Sequence, residues 1–376
     1  MVFLDDAHPG EHPSTGGRRR SSLCPVDSSR GISDPRSPRP ESARGISSKG
    51  KGCPSSVRPH VRLRAVNTPS GVDLSVDVGA VHLANPIIAA SGTFGYGIEF
   101  ADLTDLNRLG GIVVKGLSLE PMEGAPPPRL VPTAAGMINA VGLQNVGVRR
   151  FISEKLPALR GYRTAIIANV FGRTVEEYAE VVRHLEDAEG LAAYELNISC
   201  PNVACGGIQF GSNPAMAAEV VAAARKIARR PLWVKLSPNV ADIGSIGKAA
   251  EEAGGDALTV ANTYPAMSID FRTRTSRIGN PTGGLSGQGI KPITLRLVYE
   301  AWRVVGIPVI GLGGIDAAED VLEYFVVGAS AVQVGTATFA DPNACARIVS
   351  DLENLCTSEN IHAINELRGT FRAENH

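Results

Sequence analysis

The 376-residue chain carries only six cysteines, Cys24, Cys53, Cys200, Cys205, Cys345 and Cys356. That is too few for a disulfide-held scaffold at this length. No apolar signal segment opens it, so a reducing, cytoplasmic setting is expected. Nowhere are there roughly 18 consecutive apolar residues, so no membrane-spanning helix is expected either. Charge of one sign is missing as well: 37 Lys and Arg against 38 Asp and Glu leave a formal net charge of -1. No global basic field recruits nucleic acid, and there is no acidic tail. Nor does a dinucleotide-binding strand-turn-helix occur, since the one GxGG, Gly311-Leu312-Gly313-Gly314, comes late in the chain. What remains is 43% hydrophobic residues, ample for a core of one domain of about 250 residues or more.

Residues 1 to about 62 differ from the rest. Ser, Pro, Gly and Arg dominate, as in Ser14-Thr15-Gly16-Gly17-Arg18-Arg19-Arg20 and Ser37-Pro38-Arg39-Pro40. Such a segment buries too little apolar surface to offset the ordering of its backbone, so a disordered extension is expected, with a folded domain over 63–376. A dispensable tail, a targeting peptide and a mis-set start are the three readings. Asp5, Asp6 and Glu11 weigh against targeting, and no Met lies between Met1 and Met122 to start a shorter product.

From Val72 the pattern is regular. Val72 to Val78 and Val81 to Asn85 alternate apolar and polar around Gly79-Ala80, which predicts a hairpin capping the bottom of the domain. Eight short apolar runs follow: Pro86–Ser91, Gly111–Lys115, Thr164–Val170, Ala192–Ile198, Leu232–Ser237, Asp256–Ala261, Ile307–Gly311 and Ser330–Gly335. Most are rich in Val and Ile without clean alternation, as strands covered on both faces should be. Helical stretches lie between them, clearest at Val175–Ala188, Pro214–Ala228, Ile290–Val304 and Ala317–Val326. Eight strands alternating with helices predict a TIM (β/α)8 barrel, whose active site is built at the carboxyl ends of the strands.

Those ends carry chemistry. The second strand runs into Lys115-Gly116, the third ends in Asn169-Val170, the fourth in Asn197, the fifth in Lys235, and the sixth runs into Asn262-Thr263. After the fourth comes Ser199-Cys200-Pro201-Asn202, where a thiol sits between carboxamides. A thiolate acts as base or nucleophile, and Asn offers donor and acceptor on one short arm, suited to a polar planar ring. A solvated turn with an inert thiol is the competing reading. Gly313-Gly314 after the seventh strand and Gly335-Thr336 after the eighth occupy the usual phosphate position of such barrels. Two longer segments complete the mouth: Gly136 to Asn145, with Asn139, before a helical stretch, and Tyr264 to Gly287, a mobile lid or a surface excursion. Cys205 follows Cys200 by five residues, but an iron-sulfur site needs four ligands. An incidental thiol, and no metal site in this chain, is expected.

From about Val72 to the C-terminus the sequence resembles the class 1 dihydroorotate dehydrogenases, FMN-dependent barrels that oxidise dihydroorotate to orotate in pyrimidine synthesis. The motifs are Ala90-Ser91-Gly92, Val114-Lys115-Gly116, Ile138 to Asn145, Asn197 to Asn202, Val234 to Asn239, Gly283 to Gly287, Gly313-Gly314 and Gly335-Thr336. Cys at position 200 resembles class 1, where the membrane-bound class carries Ser. Gly142-Leu143-Gln144-Asn145 and Gly284-Leu285-Ser286-Gly287 look like subclass 1B.

The resemblance implies that Cys200 removes the C5 proton of dihydroorotate while hydride passes from C6 to the flavin. It implies that Lys115, Asn139, Asn197, Asn202, Asn262 and Thr263, with Ala140, Val141, Gly142 and Leu143, hold the substrate. One FMN per chain would contact Ser91, Lys115, Gly116, Asn169, Asn197, Lys235, Ala261 and Gly287, its phosphate resting on Gly313, Gly314, Gly335 and Thr336. Electrons would reach NAD+ through a partner subunit carrying FAD and a 2Fe-2S cluster, in a heterotetramer built on a homodimer of barrels. A fumarate-linked class 1A enzyme, or another FMN barrel acting on a reduced pyrimidine, is the alternative.

Overall fold

A computed structural model of the chain describes residues 71–199 and 210–373. The extension expected over 1–62, and the residues Cys200, Asn202 and Cys205, lie outside them.

A hairpin of β1 (Val76–Val78) and β2 (Val81–Leu83) comes first, followed by β3 (Ile87–Ala89) and β4 (Gly111–Val113). Next are β5 (Leu130–Thr133) and β6 (Gly136–Asn139), then β7 (Ala165–Val170), β8 (Ala193–Asn197), β9 (Leu232–Lys235) and β10 (Ala257–Val260). Four short strands follow, β11 (Tyr264–Ala266), β12 (Ile269–Asp270), β13 (Thr275–Ser276) and β14 (Gly283–Ser286). β15 (Val309–Leu312) and β16 (Ala331–Val334) end the series.

Eight of these close into a parallel barrel in the order β3-β4-β7-β8-β9-β10-β15-β16, with β16 returning to β3 through Val332 opposite Ile87. All eight predicted runs are barrel strands. Most of their apolar residues are fully buried, Ile87, Ile112, Ile167, Leu196, Val234, Leu258, Ile310 and Val332 among them, as strands covered by helices require. The hairpin lies at the amino end: a Cβ on Gly79, at φ 62°, would stand 3.2 Å from the carbonyl oxygen of Asp256, the residue before β10. Val76, Val78, Val81 and Leu83 point into the core.

The predicted helices form at Val175–Glu186, Pro214–Arg225, Lys291–Trp302 and Ala318–Val326. Local chemistry starts them: Thr174 caps the first through the Glu177 N-H, and Asn213 caps the second through those of Ala215 and Met216. Two further helices, Ile243–Glu252 and Ala344–Ser358, were not predicted. Gly244 and Gly247 weaken the helical signal of the first, yet a Cβ on Gly247 would stand 2.8 Å from Leu258 Cδ1. Glycine is there for close packing on the barrel.

The mouth differs most from expectation. Gly136 to Asn145 does precede a helical stretch, which begins at Val148, but Gly136–Asn139 within it is a strand, and Tyr264–Gly287 is no loose excursion. β5, β6, β14 and β11 form one antiparallel sheet in which Gly284 pairs with Asn139, Leu285 with Ile138 and Ser286 with Met137. The insertions after the second and sixth barrel strands are thus stitched together. β12 and β13 make a small hairpin at the tip. On the sheet's opposite face, Val131, Ile138, Ala140 and Ile278 form a separate apolar cluster.

One contact ties barrel packing to the turn after the seventh strand. A Cβ on Gly311 would clash with the edge of the fully buried Tyr324 ring, whose hydroxyl donates to the Gly313 carbonyl at 2.7 Å. Gly311→Ala is expected to destabilise the fold by about 1–3 kcal/mol through overpacking. A thermal melt lowered by several degrees is the expected result, and an unchanged melt would contradict it.

Candidate functional site

The carboxyl ends of the barrel strands and the inner side of the mouth sheet enclose a cavity of about 540 Å³. The first strand brings Ser91, the second Lys115 and Gly116, the third Asn169 and the fourth Asn197. The fifth brings Lys235, the sixth Ala261, Asn262 and Thr263, the seventh Gly313 and Gly314, and the eighth Gly335 and Thr336. The insertions add Asn139, Val141, Gly142, Leu143 and Gly287. All these predicted positions share one space. Ala140 does not: its side chain joins the apolar cluster on the sheet's opposite face. Cys200 and Asn202 lie outside the described residues. The two cysteines within them, Cys345 and Cys356, are buried in the last helix, where burial pushes the Cys345 thiol up to about 12. Among the described residues, no group of three or more His, Cys, Asp or Glu is placed to hold a metal ion.

The carboxamides are held by neighbours. Asn197 ends β8, and its backbone carbonyl accepts from the buried Tyr178 hydroxyl at 2.7 Å. Its Oδ1 accepts from Ser199 Oγ at 2.9 Å, and Ser199 Oγ in turn accepts from Asn262 Nδ2 at 2.8 Å. Asn139, on β6, donates to the Gly284 carbonyl at 3.1 Å and so fastens the two insertions where they meet the cavity. A chain of amides and a hydroxyl therefore runs from the fourth strand to the sixth, with a further amide overhead. Such groups can bind the alternating N-H and C=O edge of a polar ring.

At the other end are the glycine turns. Gly314 has φ 71° and Gly287 φ 103°, and a Cβ on Gly314 would stand 2.7 Å from Lys291 Cβ and 3.0 Å from the Gly287 carbonyl. Only glycine fits that approach. The backbone N-H groups of Gly314, Gly335 and Thr336 have no hydrogen-bond partner among the described residues. Three donors left open at one end of a cavity suit an anion with several oxygens.

Two lysines face the same space. Lys235 is 3% exposed, with its Nζ 3.3 Å from Ser91 Oγ. Lys115 has no hydrogen-bonded partner for its ammonium among the described residues, and burial, then the charge of Arg129, holds its pKa below 10.5. A cation kept in such a place is poised for a ligand's negative charge.

Sequence reasoning missed Glu195 and Gln333. Both are fully buried in barrel strands, and Gln333 lines the cavity. The signal was present: a Glu inside Ala193–Asn197 and a Gln inside Ala331–Val334 are polar intruders in strands buried on both faces.

Residues 73–356 match the family model described as dihydroorotate dehydrogenase. A protein of Solibacter usitatus named putative dihydroorotate dehydrogenase A (fumarate) is 58% identical over 299 residues, 80% of this chain and 98% of that one. The catalytic subunit of dihydroorotate dehydrogenase B (NAD(+)) of Solidesulfovibrio magneticus is 52% identical over 302 residues, 80% of this chain and 99% of its own. Among solved structures, DHODH of Eimeria tenella in complex with ferulenol shares the fold with a TM-score of 0.69 at 21% identity, covering 82% of this chain and 90% of that one.

Because burial lowers the pKa of Lys115, its charge opposes folding of the ligand-free chain. That penalty is fully present below the lowered pKa and vanishes once pH passes the ordinary value of 10.5. Lys115→Met is expected to raise the melting temperature of the ligand-free protein at neutral pH, the gain shrinking as pH climbs toward 10.5. Melts across pH check this; a gain that does not shrink, or a loss, would contradict it.

Proposed function

The chain belongs to the dihydroorotate dehydrogenase family, and we propose from its cavity that it oxidises dihydroorotate to orotate with FMN bound beside the substrate. One observation carries the reading: the glycine turns after the seventh and eighth strands and the carboxamides after the third, fourth and sixth line one continuous cavity. The residues fit FMN. The unpartnered N-H groups of Gly314, Gly335 and Thr336 would hold its phosphate, and the glycine approach between Gly314 and Gly287 leaves the room it needs. Ser91, Gly116, Asn169, Asn197, Lys235, Ala261 and Gly287 would hold the ring system.

When bound, FMN supplies the acceptor for the hydride leaving C6 of the substrate. The chain does the rest. Asn139, Asn197 and Asn262, with Thr263 and Asn202, would grip the substrate ring, and Lys115 would pair with its carboxylate. Lys235 brings a buried positive charge to offset negative charge arising in the ring system. Cys200, the residue after Ser199 in the sequence, is the base for the C5 proton. A reference thiol pKa of about 8.5 leaves it mostly protonated at neutral pH, so the rate of flavin reduction should rise with pH as the thiolate forms.

Electrons then leave for NAD+ through a partner subunit carrying FAD and a 2Fe-2S cluster, the two chains forming a heterotetramer around a homodimer of barrels in the cytoplasm. The name of the Solidesulfovibrio relative, a catalytic subunit of an NAD(+) enzyme, supports NAD+ and the existence of a partner subunit. The name of the Solibacter relative favours a second reading, in which fumarate is the acceptor and no partner is needed. Among the described residues, no helix is long and apolar enough to cross a membrane.

Cys200→Ala is expected to slow flavin reduction by dihydroorotate about 10²- to 10⁴-fold while FMN stays bound. Cys205→Ala should be nearly silent. Rapid mixing of each variant with dihydroorotate decides it, and near-normal reduction in Cys200→Ala would remove the base. With the isolated chain, dihydroorotate should reduce artificial dyes but neither NAD+ nor fumarate at a useful rate. Rapid turnover with fumarate would establish the second reading, and rapid turnover with NAD+ would refute the route through a partner.

A further inference from the structure

Beneath the cavity, side chains from four barrel strands meet at one carboxylate. Glu195 on β8 is fully buried. Its Oε1 accepts from Asn169 Nδ2 on β7 at 2.7 Å, and its Oε2 accepts from Thr259 Oγ1 on β10 at 2.8 Å and from Gln333 Nε2 on β16 at 2.5 Å. None of these partners is close in sequence: Asn169 faces Glu195 through the pairing of β7 with β8, and the barrel's curvature brings in Thr259 and Gln333.

The chemistry of the hub dictates what it leaves outside. A carboxylate accepts and cannot donate. An Asn or Gln that meets it must therefore present its NH2, which turns its own carbonyl oxygen away. Asn169 and Gln333 are in that position, and both line the cavity. Asn169 Oδ1 has one weak partner, Asn197 Nδ2 at 3.5 Å. Among the described residues, Gln333 Oε1 is buried with no partner. A buried acceptor left open is costly unless a ligand supplies the donor.

We propose that Glu195 is a positioning residue: by taking the NH2 groups of Asn169 and Gln333 it sets the cavity floor as a hydrogen-bond acceptor, which selects a ring N-H over a ring carbonyl. This rests on the reading of the cavity as an FMN site. The oxidised flavin ring has a single N-H, the imide at N3, flanked by two carbonyls, so an acceptor floor fixes which edge of the ring enters. An apolar floor would hold the ring without choosing its edge. A donor floor would favour the carbonyls.

Glu195→Gln tests this with almost no change in volume. The new side chain offers one oxygen and one NH2, so it cannot accept from all three donors, and Asn169 or Gln333 has to turn over. Full-length apoprotein would be titrated with FMN and with 3-methyl-FMN, which lacks the imide hydrogen, following flavin fluorescence. Wild type should prefer FMN; in Glu195→Gln, FMN affinity should fall about tenfold, the size of one buried hydrogen bond, while 3-methyl-FMN affinity changes little. Thr259→Val removes a donor to Glu195 without turning either amide and should keep the wild-type preference. An equal loss of both ligands in Glu195→Gln, or the same loss of preference in Thr259→Val, would assign Glu195 a packing role and overturn the inference. If wild type fails to bind FMN, the flavin reading falls and this inference with it. Should Glu195→Gln not fold, neutron diffraction from wild-type holoenzyme gives the answer directly. Deuterons on Asn169 Nδ2 and Gln333 Nε2 facing Glu195 support the proposal; either amide turned over, or a deuteron on the carboxylate, overturns it.

Discussion

Parallel closure of the barrel is the constraint from which the site follows. Because β16 returns to β3 and every strand runs the same way, residues as far apart as Ser91 and Lys235, or Glu195 and Gln333, come within hydrogen-bond reach. Barrel interiors of this kind are ordinarily filled with branched apolar side chains. Here the layer beneath the mouth holds Asn169, Glu195, Lys235, Thr259 and Gln333, all nearly or fully buried. Buried polar groups must find partners or pay desolvation, and these largely find them in one another. The network ties four strands together, and two of its members, Asn169 and Gln333, line the cavity.

The mouth sheet adds the other wall. Pairing of β6 with β14 joins insertions from the second and sixth strands, and the Asn139 carboxamide bonds across that seam to the Gly284 carbonyl. The cavity thus lies between a floor tied into the barrel core and a roof tied into its own small apolar cluster of Val131, Ile138, Ala140 and Ile278. Charge is distributed to match. Lys115 stands without a hydrogen-bonded partner among the described residues, at a cost to the folded state, and the open N-H groups of Gly314, Gly335 and Thr336 collect at the far end. Stability given up at one position for a ligand's sake is what a binding site should show.

Much of this was legible in the residues. Short Val- and Ile-rich runs at strand length identified all eight barrel strands, since burial on both faces leaves that pattern and little else does. Lys115, Asn169, Asn197, Lys235 and Asn262 stood out because they end such runs. The mouth sheet was not legible: β6 meets β14 across more than a hundred residues of chain, and neither segment has a strand pattern apart from its partner. Ile243–Glu252 was hidden by its glycines, which answer to packing against Leu258 and not to helix propensity. Glu195 and Gln333 were passed over because a strand was read for its apolar majority. Ala140 was assigned to the site with its neighbours, but alternation along the segment turns its side chain to the other face.

The central claim is that one cavity brings dihydroorotate and FMN together. Anaerobic addition of dihydroorotate to the purified, FMN-loaded chain measures that directly, with no partner and no external acceptor present. The account predicts bleaching of the flavin's visible absorbance and formation of one orotate per flavin. An FMN-loaded chain that stays fully oxidised with saturating dihydroorotate would contradict it.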